Sequence, residues 1–490
     1  MDRLAFEHHL TSPQGQGHVP DHGHTVTRGG GSCCDTITFT LALDGSTVID
    51  AGYEARGCGG AIAAGSAAVT LVRGQPLMSA ARVGVGEIAA ELGGLSPGKL
   101  HAADLAADAL ARALGAAVSA HRPAGAVLPA VAEGRTLVAM SGGVDSAVAA
   151  RECMAVGETV AVTLELWADH ENDAQRSCCS ASAVAQARSV AHAMGLAHFT
   201  LDLREDFRRG VVEPFIAGYA QGETPNPCVG CNGHVRLDAL LRFADRLGCD
   251  TLATGHYARV AEERDPDGPL LRAAADPAKD QTYMLAALAP SSLARMRFPL
   301  GELTKPEVRQ RARHAGLPVA DKPDSQDLCF LAGTDRTRFL ARHGGIPERR
   351  GEVVDRAGNR LATHRGHHDF TVGQRRGLGV ATAAPLYVLE KDSERNRVVV
   401  GPRAALRRDT VTIRDVRLHR DGSRVDGVKL RYHQQPLPAR LQPLADTGTH
   451  PCLRVDLLQP AESVAPGQLA CLMAGELIVG WATIDRSRSV

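Results

Sequence analysis

Aromatic residues make up only 4% of this 490-residue chain, and tryptophan occurs twice. Its cores must therefore be built from small aliphatics, and glycine alone numbers 51. Charge of neither sign predominates: Lys plus Arg and Asp plus Glu both number 55. A polyanion partner would need a local basic face, because the chain as a whole offers none. No stretch approaches a membrane span, and the N-terminus has no apolar core of the secretory type. That excludes a membrane partner and predicts a cytoplasmic chain. In that compartment the 12 cysteines point to metal, cluster or sulfur chemistry rather than to disulfides. The lysine of a GxxxxGK[ST] phosphate loop is also missing. The length exceeds what one core can fill, so two to four domains are expected.

What is present begins with Ser141-Gly142-Gly143-Val144-Asp145-Ser146. It follows an apolar run, Thr136 to Met140, short enough for a buried parallel strand, and it precedes an Ala-rich helical stretch. Two adjacent glycines let the backbone approach an anion and turn its N–H groups inward. Ser141 and Ser146 add hydroxyls, and a helix N-terminus adds partial positive charge. This strand, turn and helix start form a place to hold phosphate. It resembles the pyrophosphate loop of ATP pyrophosphatases, which cleave ATP to AMP and pyrophosphate.

Along the chain, residues 1–30 are rich in His, Gly and Pro and read as a mobile arm. Residues 31–121 begin with two alternating strands around an Asp44-Gly45 turn, and end in a helix from about Ala103 to Ala120. Residues 122–134 read as a linker, so the N-terminal block should be separable from the rest. Over 135–292, strands alternate with helices, which predicts a doubly wound parallel sheet. Ligands then lie beyond the strand C-termini, where the SGGVDS loop, Trp167 and Gly255-His256 all fall. Residues 293–350 are helical and charged, and residues 351–490 are short strands, read as a small β-barrel. The fold class is multidomain α/β with an α+β domain in front.

The block 31–121 resembles the iron–sulfur scaffold family related to the nitrogen-fixation U protein. The resemblance rests on Ser32-Cys33-Cys34-Asp35, on Gly57-Cys58-Gly59-Gly60-Ala61-Ile62-Ala63 and on Lys99-Leu100-His101. By it, Cys33, Asp35 and Cys58 fall at metal-site positions. The family's third cysteine, after His101, is Ala102 here. Cys34 and His101 are the residues at hand to replace it. A degenerate docking surface for a cysteine desulfurase is the competing reading.

A second thiol group lies in Thr224-Pro225-Asn226-Pro227-Cys228-Val229-Gly230-Cys231-Asn232, joined late by Cys329 in Asp324-Ser325-Gln326-Asp327-Leu328-Cys329-Phe330. Cys-x-x-Cys alone fits zinc, a redox pair or two incidental thiols. With SGGVDS, Cys178-Cys179, the ATGHYARV stretch from Ala253 to Val260, Lys279-Asp280-Gln281 and the loop Gly373-Gln374-Arg375-Arg376-Gly377, these segments in this order resemble the tRNA-specific 2-thiouridylase family. The resemblance runs from about Arg135 to Ile484. It implies ATP-dependent adenylation at C2 of the wobble uridine, then displacement of AMP by sulfur, with Mg²⁺ spreading charge.

The resemblance implies catalytic roles for Cys231 and Cys329 and ATP contacts at Ala139, Met140, the loop Ser141 to Ser146, Leu164 and Gly255. It implies tRNA contacts at Asn226, Pro227, Cys228, Lys279, Asp280, Gln281, Arg431 and Tyr432. Many members carry Asp where this chain has Cys228. Sulfur then comes from a persulfide on Cys329, or from a [4Fe–4S] cluster held by Cys228, Cys231 and Cys329 with a sulfide on its open iron. The implied partners are tRNAs with Lys, Glu or Gln anticodons and a cysteine desulfurase or sulfur-relay protein. The competing functions are a pyrophosphatase that amidates or adenylates without thiols, and an iron–sulfur or zinc carrier with a regulatory ATP domain. Cys153, Cys249, Cys452 and Cys471 read as inert residues among apolar neighbours, and Cys178 and Cys179 as structural. His364 and His367 read as tRNA or scaffold contacts rather than metal ligands.

Overall fold

The structure is a computed structural model. It describes residues 3–29, 34–120, 134–169, 181–261, 267–324, 328–331 and 333–486. Cys33, Cys178, Cys179 and Ser325 to Asp327 lie outside the described residues.

The N-terminal residues are not an arm. Arg3–Thr11 is a helix, and His24–Gly29 is a strand paired antiparallel with Thr36–Asp44, which pairs in turn with Thr47–Arg56. The composition of residues 1–30 hid this, because their order comes from contacts with later residues. His9 Nδ1 meets the buried Ser66 hydroxyl at 2.8 Å, and Ser66 Oγ accepts from the Gln14 N–H. The helices Gly59–Val72 and Leu100–Ala120 pack on this sheet. Both are Ala-rich, so their backbones come close, and the core is small aliphatics around Phe39 and Tyr53.

The nucleotide-type domain is a five-stranded parallel sheet. Its order is Met296–Arg297, Thr251–Thr254, Thr136–Ala139, Thr159–Glu165, Ala197–Asp202. Thr136–Ala139 and Thr159–Glu165 are buried throughout, as expected of strands covered on both faces. The edge strand Ala197–Asp202 is covered by the N-terminal domain: the His198 N–H donates to Ala81 O at 2.8 Å. One face is covered by the helix Leu100–Ala120. At Gly115 a Cβ would sit 2.2 Å from Thr200 O, so only glycine allows that approach. The N-terminal block is therefore packed against the sheet.

The helix Lys305–His314 packs against Val144–Met154, the helix that follows the SGGVDS loop. The expected boundary at 292 thus falls inside one packed unit. Residues 351–490 form two units rather than one barrel. The first is a four-stranded sheet, ordered Arg360–His364, Gly351–Val354, Arg397–Gly401, Tyr387–Asp392. The second is a six-stranded barrel, closed where Arg408–Leu418 pairs with both Gly448–Ala461 and Leu477–Ile484. Two strands of the nucleotide-type domain, Leu270–Arg272 and Arg259–Ala261, extend the barrel sheet through Leu477↔Arg272 and Ile478↔Leu271.

Candidate functional site

The SGGVDS loop has the geometry its sequence implies. Gly142 has φ +69°, and a Cβ there would lie 2.7 Å from Ala183 O. Ser146 Oγ accepts from the Ser141 N–H at 3.1 Å and donates to Gly143 O at 3.1 Å, which fixes the turn. Gly143 then caps the helix Val144–Met154. Gly255 passes so close to the helix start that a Cβ would sit 2.8 Å from Asp145 C and Ser146 N. Leu164 and Met140 are buried beside this turn, on neighbouring strands.

Sequence reasoning missed the cations around the loop. Lys305 Nζ donates to both Asp145 oxygens, at 2.7 and 2.8 Å, and reaches Asp324 Oδ1 at 2.8 Å. Lys279 Nζ meets Asp324 Oδ2 at 2.8 Å, and Arg309 meets Asp324 Oδ1 at 3.0 Å. Lys322 Nζ donates to Gly142 O at 2.9 Å. Three cations thus converge on two carboxylates beside the turn, and Lys322 binds the turn itself. Burial raises the Asp324 carboxyl, but the Lys279 and Lys305 hydrogen bonds outweigh it and hold it at about 2. The Tyr257 hydroxyl donates to Asp145 Oδ1 at 2.9 Å. The available signal was the capping box Thr304–Glu307, which starts a helix with Lys305 at its first position.

The thiol segment is tied to the same domain by Asn232, whose Nδ2 donates to Met284 O at 3.1 Å. Asn226 caps the short helix Pro227–Gly230, its Oδ1 accepting from the Cys228 N–H at 3.1 Å. Cys231 opens a π-helical segment to Arg236, a local irregularity often found at functional sites. Cys231 is 7% exposed, and Cys228 and Cys329 are half-buried. None of the three is joined in a disulfide. The segment is held from two sides. Gln468 Nε2 donates to Thr224 O, at 2.5 Å, from the barrel. Lys391 Nζ, from the four-stranded sheet, donates to Glu223 O at 3.2 Å and Phe370 O at 3.0 Å. Burial, with Arg336 and Arg486 nearby, pushes the Lys391 ammonium down to about 7.

The expected tRNA contacts divide. Tyr432 stacks 6.2 Å from the Tyr283 ring. Burial, with Asp280 and the Cys228 thiol close by, raises the Tyr432 phenol. The Arg431-Tyr432 turn therefore closes over the Asn226–Cys228 segment. Asp280 does not fit a tRNA contact: it is 8% exposed, and its carboxylate accepts from the Ala274 N–H, the Thr282 hydroxyl and Lys429 Nζ. Gln281 Oε1 accepts from the Tyr257 N–H at 3.0 Å, and Lys279 belongs to the phosphate-side cluster. His364 and His367 are buried, and His367 bonds to Asn396, so neither faces a partner. Burial pushes the Cys153 and Cys249 thiols up to about 11 and about 12, and raises that of Cys471, as suits inert residues. Cys452 is exposed on a barrel strand, unlike the expectation.

In the N-terminal domain, Asp35, Cys58 and His101 offer ligand atoms within 4.8 Å of one another, the one such trio among the described residues. The Asp35 carboxylate accepts from the Cys58 N–H at 3.2 Å and from its thiol at 3.0 Å. His101 Nδ1 lies 2.9 Å from Gly98 O, which leaves Nε2 for a ligand role. Ala102 is buried beside them and supplies no donor.

The fold and site define a nucleotide-handling α/β domain with thiols at its mouth, carried with a scaffold-like domain and a closed barrel. Residues 134–333 match the tRNA methyl transferase HUP domain, 5–120 the NifU-like N terminal domain, 337–402 the tRNA methyl transferase PRC-barrel domain and 409–484 the aminomethyltransferase beta-barrel domain. A bifunctional protein NifU/MnmA of Rubrobacter xylanophilus is 43% identical over 489 residues, 98% of this chain and 97% of that one. The tRNA-specific 2-thiouridylases MnmA of Geobacter metallireducens and Methylorubrum populi are 42% and 44% identical, each over 72% of this chain and 96% and 94% of their own. The chain belongs to the tRNA-specific 2-thiouridylase MnmA family, in the form that carries a NifU-like domain at its N-terminus. No helix among the described residues is long and apolar enough to cross a membrane.

Proposed function

We propose that this chain is a tRNA 2-thiouridine synthase. The observation that carries this is that one chain builds both a glycine–serine turn beside Lys305 and Lys322 and a tightly held Asn226–Cys231 thiol segment. A uracil C2 oxygen leaves poorly from a resonance-stabilised carbonyl. Its attack on the α-phosphorus of ATP expels pyrophosphate and makes it a good leaving group. The SGGVDS turn holds the phosphates, with Lys305, Lys279 and Lys322 facing the charge that develops on pyrophosphate. Asp145 and Asp324 are the carboxylates that would hold Mg²⁺, which spreads that charge when bound. Leu164 and Met140 pack against adenine, and Gly255 lets the nucleotide lie on the helix start.

Sulfur then attacks C2 and AMP leaves with the oxygen. In the first route the terminal sulfur of a Cys329 persulfide attacks. The Cys231 thiolate then attacks Cys329 Sγ, leaving that sulfur on the base and a Cys231–Cys329 disulfide that a cellular thiol must reduce. The second route is favoured by Cys228, a third cysteine where many members have Asp. Cys228, Cys231 and Cys329 fit a [4Fe–4S] cluster by donor set, and such a cluster would supply an iron without a protein ligand as a place for sulfide. Iron and sulfide analysis after anaerobic purification separates the routes.

The base must be splayed out to be reached, and the Arg431-Tyr432 turn suits stacking on an unpaired base. The tRNAs are those with Lys, Glu and Gln anticodons, and the sulfur comes from a cysteine desulfurase or relay protein through the Asp35–Cys58–His101 domain. The test is nucleoside analysis of tRNA from cells with and without the gene. Loss of 2-thiouridine is expected, and an unchanged level overturns the reading.

A further inference from the structure

The relatives that match 72% of this chain do so over 94% or more of their own length. A thiolase body therefore occurs without the N-terminal domain. In this chain that domain reaches into the body at a particular place. His101, Asp104, Asp108 and Arg112 recur at helical spacing, on one stripe of Leu100–Ala120. The stripe spans about 16 Å at 1.5 Å per residue. At one end is the Asp35–Cys58–His101 trio. At the other, Arg112 donates through Nη1 to Glu165, the last residue of the strand Thr159–Glu165.

Glu165 directly follows Leu164 and closes its strand, at the C-terminal edge of the sheet, the edge on which the nucleotide turn also lies. Arg112 Nε also meets Asp108 Oδ2 at 2.9 Å. Arg188, from the helix Ala181–Ala193, joins Asp108 and meets Asp104 Oδ1 at 2.5 Å. Arg112, Glu165, Asp108 and Arg188 are all at most 7% exposed. Charges so buried hold one geometry, because separating any of them strands its partner without water. The strand end is thus set by a side chain from outside the nucleotide-type domain.

We propose that the NifU-like domain is a fixed wall of the nucleotide site, and that Arg112 is the positioning residue that sets the strand end at Leu164 and Glu165 against ATP. This rests on the reading that adenine packs on Leu164. The domain is then part of how ATP is bound, besides any part in sulfur supply.

The test uses the full chain and three variants: Arg112→Met, Arg112→Lys and Arg112→Met/Glu165→Gln. Equilibrium binding of ATP is measured, with KM and kcat for tRNA-dependent pyrophosphate release. Arg112→Met is expected to raise the ATP dissociation constant and KM about tenfold, with kcat within about twofold and the KM for tRNA unmoved. Arg112→Lys should recover most of the loss. The double variant leaves no stranded charge on Glu165, so it should fold while keeping the raised KM. ATP affinity within about twofold of wild type in the folded double variant overturns the proposal, as does an equal rise in both KM values. Wild-type protein that binds ATP but makes no thiolated tRNA sinks the thiolase reading and leaves the binding test of Arg112 intact.

Discussion

The chain carries two thiol-bearing sites built in opposite ways. At the N-terminal one, a buried carboxylate has already gathered an exposed thiol: Asp35 holds both the N–H and the thiol of Cys58, and His101 stands within ligand distance. At the second, Cys231 is buried and Cys228 and Cys329 are half-buried. The first site gathers its donors at the surface. The second sets its thiols deeper, as suits a group that reacts out of bulk water. Holding and reacting thus ask for different burial from the same side chain.

The largest expected effect sharpens this contrast. Cys231→Ala or Cys329→Ala should lower thiolation of a tRNA transcript at least about 10³-fold, read as 2-thiouridine by mass analysis. Cys58→Ala, supplied with free sulfide for the cluster route or a small-molecule persulfide for the Cys329 route, should stay within about twofold. An equal loss in all three would show one sulfur path instead of two distinct sites. Next, Lys305→Ala should slow pyrophosphate release about 10²-fold or more, the size of a lost donor at developing charge. A rate near wild type would remove the lysine ring from the phosphate reading.

A third effect is on stability. Arg188→Met leaves the buried Asp108 and Glu165 carboxylates sharing Arg112 alone and should cost about 3–5 kcal/mol, read from the urea midpoint. A shift under about 1 kcal/mol would place the domain contact among loose, surface-type pairs. Fourth, the N-terminal trio should bind one Co²⁺ with thiolate absorption, and His101→Ala should weaken it at least about tenfold. Binding unchanged by that substitution would reassign the ligand set.

The smallest effect is with pH. Burial lowers His198 well below 6.5 and brings His256 to about 3 and His419 to about 4. Below pH 6.5 the unfolded chain takes up protons that the folded one refuses, so stability is full above that pH and declines as pH falls. The decline is roughly 1.4 kcal/mol per pH unit for each histidine until its folded value is reached. His198→Gln should flatten the slope by one such contribution, read by urea titration from pH 7 to 5.

The motifs were legible because their chemistry is local. SGGVDS needs glycine at a positive φ and serines to lock the turn, and Asn226-Pro227 is a cap with its helix start. Lys305 and Lys322 were not legible as phosphate-side residues, since they come from segments 160 and more residues beyond the loop. Asp280 misled because a charged residue in a polar tripeptide looks exposed, while its carboxylate is spent under the barrel.

The sequence by itself determined the nucleotide turn, the thiols, the alternation of strand and helix and the two resemblances, because each is written in neighbouring residues. Tertiary structure alone decided that residues 3–29 form a helix and a strand of the first sheet, that two strands of the nucleotide-type domain continue the barrel sheet, and that an Arg of the scaffold-like domain ends at the strand Thr159–Glu165. Those depend on which distant surfaces meet. Burial then turns an ordinary charge into a fixed one, and no local pattern records it.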